Sequence, residues 1–368
     1  MQLFIRAEGN PSIGLGHIMR CFALAETCNA LHIKVTFLCS QETRDFLMSR
    51  HSFDSAIIVL KNTYNMQQGG ASNACAEEIA SLLSHDAVLV LDGYQFDYEY
   101  QQALQHAGIK FAYFDDINFF YQAEQPYQER TRQHTRQHCA NVIINGAESA
   151  FSMNYDVNAV HSRLCLGNHY LLLRREFHHL ETTPMAKRDS LLINFGGADI
   201  HNYSTQLLIA LDKLGFSAPV KLVTGAAYSH KKALNRCLQS DLSKSLIAIQ
   251  HIHDAQEMAP LMQQSRLAVC AAGGTQFELL SCATPSILVV VADNQLPATQ
   301  HAANQGWCDI CEWQEKVDID ALAKQIIAQW QAQLDIQSKF EKAAQQQQKL
   351  TFDGAQNILK VLTELAHS

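Results

Sequence analysis

The sequence lacks the marks of several large protein classes. None of its 368 residues belongs to an apolar run of about 18, the length a helix needs to span a bilayer. Basic excess is missing too: 28 Lys and Arg stand against 36 Asp and Glu, a net charge of −8 that argues against a protein coating nucleic-acid backbone. Charged residues make up only 17% of the chain and hydrophobic ones 47%, which excludes disorder and allows two sizeable cores. The 11 cysteines are odd in number and scattered singly, so a disulfide scaffold is not expected; reduced, mostly buried thiols are. The opening Met1–Arg6 lacks the basic start, apolar stretch and small-residue cleavage site of a secretory leader, and the expectation is a cytoplasmic protein. No repeat of short period is present.

What the chain does have is an alternation of short apolar runs and amphipathic stretches. Strands are expected at 3–8, 34–39, 55–60, 87–92, 111–115 and 140–145, with helices at 18–30, 42–50 and 74–83. The pattern loosens between about 147 and 188. It restarts with strands at 191–196, 220–224, 246–249, 267–270 and 287–291, and helices at 255–264, 275–283 and 297–305. Runs this apolar suit parallel strands covered by helices on both faces. The sequence therefore predicts an α/β protein of two doubly wound Rossmann-like domains facing a cleft. The first spans 1–160, a linker 161–188, the second 189–350, and a C-terminal helix 351–368. Ligands of such sheets sit at the carboxyl ends of the strands. Two segments read as solvated, the polar excursion 122–138 and the Gln345–Gln348 run.

Three glycine-containing turns follow strands. In Ile13-Gly14-Leu15-Gly16-His17 the glycines let backbone approach a ligand, and a helix N-terminus follows that favours negative charge. His17 lies in the first helical turn, where the macrodipole disfavours a second positive charge, so the imidazole is expected to be able to take up a proton. The spacing is not a dinucleotide fingerprint, because the third glycine is missing. An incidental histidine in a tight strand–helix turn fits the same pattern. In Ala272-Gly273-Gly274-Thr275-Gln-Phe-Glu278, the helix start suits a diphosphate and Glu278 suits ribose hydroxyls; a Thr275/Glu278 capping box fits equally well. Phe195-Gly196-Gly197-Ala198-Asp199 repeats the theme after the first strand of the second half.

Other groupings are read as structural. Asp115-Asp116 and Asp92 end strands and could hold a metal, but no third ligand is near, and helix capping or hydrogen bonding is favoured. Trp307-Cys308-Asp-Ile-Cys311 imitates a redox motif, yet in a strand two cysteines three apart point to opposite faces. His134-x-x-x-His138-Cys139 has zinc-like spacing with only one cluster. No metal or cofactor is expected.

Together these blocks resemble a known family. Arg6-Ala-Glu8-Gly9…Ile13-Gly14-x-Gly16-His17-x-x-Arg20 is similar to the N-terminal motif of the UDP-sugar hydrolases of pseudaminic acid biosynthesis. Asp92-Gly-Tyr94, Phe114-Asp115-Asp116, Leu173–Phe177, Gly196–Asp199, Met258–Met262, Ala272–Glu278, Asn294-Gln295 and Asp353-Gly354 resemble its later blocks, in order along most of the chain. Glu8 stands where that family usually has Asp. The resemblance implies a GT-B fold like that of the glycosyltransferases of peptidoglycan lipid synthesis. It also implies metal-independent release of UDP from UDP-2,4-diacetamido-2,4,6-trideoxy-β-L-altropyranose. It implies His17 and Tyr94 as catalytic residues. Arg6, Gly14, Gly16, Gly197, Gly273, Gly274, Thr275, Glu278, Asn294 and Gln295 are the expected contacts to a small-molecule UDP-sugar. Rival expectations are a glycosyltransferase using a UDP-sugar donor and a non-catalytic nucleotide-sugar binder.

Overall fold

A computed structural model of the chain describes residues 1–10, 13–61, 73–84, 86–120, 137–311 and 316–368. The chain divides into two compact units. The first comprises Met1–Gly9, His17–Arg174 and Thr351–Ser368, and the second Asn10–Gly16 and Arg175–Leu350.

In the first unit, strands β1 (Gln2–Ala7), β2 (Val35–Cys39), β3 (Ala56–Val59), β4 (Ala87–Asp92), β5 (Lys110–Phe114), β6 (Val142–Asn145) and β7 (Arg163–Leu166) form one parallel sheet. Its order is β3-β2-β1-β4-β5-β6-β7. Helices α1 (Gly16–Ala30), α2 (Gln41–Met48), α3 (Asn73–Leu82), α4 (Tyr98–His106) and the short α5 (Tyr155–Asn158) connect the strands. All six residues of Ala87-Val-Leu-Val-Leu-Asp92 are buried, as a strand covered on both faces requires. Leu89, Leu91, Phe111, Tyr113 and Ile143 pack with Ile79, Tyr100 and Leu104 of the covering helices. Each such side chain contributes roughly 1.5–3 kcal/mol on burial. Ser40 caps α2 through the Thr43 amide, and Asp97 caps α4 through Tyr100.

The register fixes where chemistry can sit. β1 lies between β2 and β4, and Ala7 pairs with Asp92. Strand order reverses between β1 and β4, which is the switch point where doubly wound sheets bind ligands. His17, in the first turn after β1, and Asp92, the last residue of β4, are thereby brought to one place.

The second unit repeats the plan. Its strands are β8 (Ser190–Asn194), β9 (Val220–Thr224), β10 (Ile249–His253), β11 (Ser265–Ala271), β12 (Ser286–Val289) and β13 (Cys308–Cys311). They lie in the order β10-β9-β8-β11-β12-β13, all parallel. Helices α6 (Tyr203–Lys213), α7 (Lys231–Arg236), α8 (Ala259–Gln263), α9 (Thr275–Ser281), α10 (Leu296–Asn304), α11 (Ile319–Gln331) and α12 (Gln333–Gln347) belong to it. Leu191, Ile193, Leu207, Leu222, Val269 and Ile326 are in its core.

The last helix, α13 (Gly354–His367), belongs to the first unit. A Cβ on Gly354 would come within 2.0 Å of the Leu171 carbonyl oxygen, so only glycine lets the helix start that close. Lys110 Nζ donates to the Ala366 carbonyl at 3.3 Å, and Arg163 pairs with Glu364. This accounts for the Asp353-Gly354 signature.

Three readings need revision. The strand expected at 246–249 begins at Ile249 and runs to His253, while Leu246 is 79% exposed. The stretch taken as linker carries β7. The helix expected at 255–264 is confined to Ala259–Gln263, where Pro260 occupies the first turn and Glu176 accepts from the Met258 and Ala259 amides. Most of the polar excursion 122–138, and His134 with it, lies outside the described residues. Among the described residues no helix is long and apolar enough to cross a membrane.

Candidate active site

At the switch point of the first sheet, Asp92 is fully buried and surrounded by donors. His17 Nδ1 lies 2.7 Å from Asp92 Oδ1. Arg20, one helical turn after His17, donates from Nε to Oδ2 at 2.8 Å and from Nη2 to Oδ1 at 2.7 Å. The Cys21 thiol adds a contact at 3.6 Å. Arg20 also donates to Asp116, from Nη1 at 2.6 Å and from Nη2 at 3.1 Å. Its guanidinium stacks 4.6 Å above the centre of the Phe114 ring.

Burial alone would raise the Asp92 pKa. The Arg20 charge, followed by His17 and their hydrogen bonds, outweighs it and holds the group at about 2. Arg20 shows the converse balance: burial works against its charge, and Asp116 and Asp92 override it and raise its pKa. Asp92 is thus a carboxylate that only accepts, so Nδ1 of His17 carries a proton. In the neutral imidazole the lone pair is then on Nε2. Tyr94 packs edge-on to the imidazole with ring centres 5.1 Å apart, and its hydroxyl donates to Asp116 at 3.2 Å. Phe119 also packs against Tyr94, with ring centres 5.9 Å apart.

The glycines divide by what they do. Gly14 has φ +81° and closes a turn with Asn10 through paired backbone bonds of 2.9 and 3.2 Å, so the fold demands it. Gly16 is exposed, and a Cβ there would meet nothing within 4 Å. The fold does not require glycine at 16; its absence of a side chain leaves open space beside His17.

In the second sheet the equivalent switch point lies between β8 and β11. Gly196 takes φ +78° at the end of β8. Gly197 is a packing position: a Cβ there would press on the Leu15 side chain at 2.7 Å, and Gly225 already abuts its backbone. Asp199 accepts from the Tyr203 and Ser204 amides and starts α6. After β11, Gly274 occupies the N-cap of α9 with no side-chain cap, and Thr275 is the first helical residue. With Gly274 at the N-cap, Thr275 does not occupy the position that a Thr275/Glu278 capping box requires. A Cβ on Gly274 would meet nothing within 4 Å, and one on Gly273 only Gln295 Nε2 at 3.7 Å. Gln295 accepts from the Val291 amide, which fixes it beside Gly273. Asn294 precedes it on the same short turn, and Glu278 lies half-buried one turn into α9.

Arg6 is placed differently from the expectation that it meets ligand. It is wholly buried, donates to Glu8 at 2.5 Å and to the Leu38 carbonyl at 3.3 Å, and stacks on Phe96. Glu8 in turn accepts from the Ser40 amide, the Ser40 hydroxyl and Thr43. The pair braces the loop that follows β1. Conversely, sequence reasoning left Asp92, Arg20 and Asp116 without a role in the site. The available signal was His17-x-x-Arg20, which puts both side chains on one helix face. The paired strand-end acids were read as capping groups.

The glycosyltransferase family 28 C-terminal domain matches residues 198–358. The uncharacterized protein MJ1062 of Methanocaldococcus jannaschii is 21% identical over 303 residues, 80% of this chain and 56% of that protein. The spore coat polysaccharide biosynthesis protein SpsG of Bacillus subtilis is 23% identical over 171 residues, 45% of this chain and 49% of that protein. The chain spans about half the length of these relatives. Among solved structures, Acinetobacter baumannii MurG superposes with a TM-score of 0.61 at 15% identity, covering 99% of this chain and 100% of that one. The calicheamicin glycosyltransferase CalG4 gives 0.64 at 10% identity, covering 99% and 98%. Anabaena Alr3699/HepE, in complex with UDP and glucose, gives 0.60 at 13% identity, covering 99% of each chain. The fold is of the GT-B glycosyltransferase type, with two parallel-sheet α/β units.

Proposed function

We propose that the protein is a UDP-sugar hydrolase that transfers the glycosyl group to water. The observation that carries this reading is His17, held through Nδ1 by an ionised, buried Asp92 with open space at Gly16 beside it. That arrangement suits Nε2 to accept a proton from water as it attacks the anomeric carbon. Asp92 fixes the tautomer and stabilises the imidazolium that forms. Arg20 and Asp116 keep Asp92 and Tyr94 in register.

The second unit is assigned the nucleotide. Gly273, Gly274, Thr275 and Gln295 receive the diphosphate, whose growing negative charge meets the α9 amides. Glu278 accepts from ribose hydroxyls. The match to a glycosyltransferase family 28 C-terminal domain over this region supports a nucleotide-sugar there. UDP is a good leaving group, so no strong general acid is needed, and attack opposite it inverts the anomeric centre. The substrate proposed is UDP-2,4-diacetamido-2,4,6-trideoxy-β-L-altropyranose, on the resemblance in the sequence; the likeness to a polysaccharide biosynthesis protein supports this wider class of sugar chemistry.

The test is incubation with that substrate and other UDP-sugars, without any acceptor, and detection of free UDP. Release abolished by His17→Asn is the expected result. Release only on adding a sugar or lipid acceptor identifies a transferase. Tight UDP binding without release identifies a binding protein.

A further inference from the structure

Behind the site lies a buried polar cluster that the chemistry above does not use. Asp115, the residue after β5, is fully buried. Its Oδ1 accepts from the Ile117 amide at 3.2 Å and the Phe119 amide at 2.9 Å, and Oδ2 shares the Phe119 amide at 3.0 Å. Oδ2 also faces His138 Nε2 at 3.3 Å. The same nitrogen is 3.3 Å from Asn118 Oδ1, which accepts from Asn158 at 2.8 Å. Asn118 itself has φ +52° and is pinned by its side chain to the Met153 carbonyl and by its amide to the Tyr155 hydroxyl. That hydroxyl donates to the Asp115 carbonyl.

The turn so held, 115–119, presents both Asp116 and Phe119 to Tyr94, and Asp116 to Arg20. We propose that Asp115 is a positioning residue: its carboxylate, backed by His138, templates this turn and thereby sets Tyr94 and Arg20 around His17. This deepens the hydrolase reading and rests on it for its catalytic consequence. The structural half stands by itself.

The hydrogen-bond roles follow from the partners. Two acceptors, Asp115 Oδ2 and Asn118 Oδ1, converge on Nε2 of His138, so Nε2 bears the proton. Nδ1 is buried with no partner among the described residues, as a bare acceptor. A proton placed on Oδ2 of Asp115 would then point one donor at another. Shifting the His138 proton to Nδ1 would strand a buried N–H, and the Phe119 bond to Oδ2 would be lost. The turn is therefore held by the ionised form. Burial is the largest influence on Asp115 and raises its pKa to about 7, with the Phe119 and Ile117 amides opposing and Asp116 adding to the rise. Burial lowers His138 to about 4. Asp115 in turn acts on Tyr113 and Tyr155, both raised well above the ordinary range, chiefly by burial, and silent near neutrality. As pH falls through about 7 protonation relieves the buried charge while it breaks the bonds to Oδ2, so the hydrogen bonding of the turn changes there without a loss of stability.

The experiment follows the Ile117 and Phe119 amides and the Tyr94 ring by NMR between pH 5 and 9, in the wild type, Asp115→Asn and His138→Gln. The wild type should show one shared midpoint near neutrality for all three signals as the bonds to Asp115 Oδ2 change. Asp115→Asn should abolish the midpoint while the protein remains folded. His138→Gln, which can still donate to Oδ2, should keep the midpoint. Flat signals in the wild type, or a midpoint that survives in Asp115→Asn, overturn the proposal. Kinetics give the second readout: with an active wild type, Asp115→Asn should lower kcat by about tenfold with KM within a few-fold, an interaction expressed in the transition state. An unchanged kcat overturns the catalytic consequence. If no UDP-sugar is hydrolysed by the wild type, the hydrolase reading fails, while the NMR result still decides the turn.

Discussion

Replacing Asp92 with Asn keeps the volume and one acceptor but brings an NH₂ into a cluster already filled with donors. If the Asn oxygen serves Arg20, its NH₂ faces His17, and the imidazole must present a bare Nδ1 to it. The proton then sits on Nε2, and the base is gone. If the oxygen serves His17, the NH₂ opposes the Arg20 guanidinium, whose two bonds to Asp92 measure 2.8 and 2.7 Å. Either way the reacting geometry is lost. A misassigned tautomer behind a histidine base costs about 10⁴-fold in kcat in serine proteases, and positioned bases generally contribute about 10²–10⁴-fold. The expected fall in kcat is therefore about 10²–10⁴-fold, with KM within a few-fold. Stability sets a smaller effect. The Asp92 pKa is depressed to about 2 from an ordinary 3.8, so its contribution is present above pH 4 and fades as pH falls towards 2. That difference corresponds to about 2 kcal/mol, which leaves a typical domain of about 5–15 kcal/mol folded at pH 7. Steady-state kinetics on a variant shown folded by circular dichroism is the assay. A kcat within threefold of wild type refutes the assignment of His17 and Asp92 as a catalytic pair.

His17→Asn should lose about 10²-fold or more in kcat with little change in KM, and should lose the acid limb of the pH–rate profile. Glu278→Ala should weaken UDP binding by roughly 1–3 kcal/mol in calorimetry, the cost of stranding polar partners; unchanged affinity removes Glu278 from the nucleotide site. Activity should persist in EDTA, because the Arg20 guanidinium lies between the Asp92 and Asp116 carboxylates that would otherwise attract a cation; loss restored by zinc or magnesium contradicts this. Gly354→Ala should destabilise by about 1–3 kcal/mol, since its Cβ would collide with Leu171 backbone, and an unchanged melting temperature would refute that contact.

Much of the fold was legible because parallel strands buried on both faces leave nearly continuous apolar runs. Ala87–Asp92 and Val220–Thr224 match the structure residue for residue. β7 and β10 escaped for a physical reason: both are half-exposed edge strands, Arg163-Leu-Cys-Leu166 is only four residues long, and Ile249-Gln-His-Ile-His253 is interrupted by polar residues. The glycine turns were visible, but their division of labour was not. Only coordinates separate Gly14, which the backbone requires, from Gly16, which the backbone does not. His17 was found because it follows a turn motif within five residues. Asp92 and Asp116 are 75 and 99 positions away from it and join it through the β1–β4 and β4–β5 registers. His138 looked like half of a zinc motif and is instead part of the cluster beneath Asp115.

The central claim concerns where water attacks. In ¹⁸O-labelled water, with spectra taken before the free sugar exchanges its anomeric oxygen, cleavage of the sugar carbon–oxygen bond by water activated at His17 puts the label in the sugar and leaves UDP unlabelled. Label in the UDP phosphate, or UDP release that does not occur without an acceptor, contradicts the account.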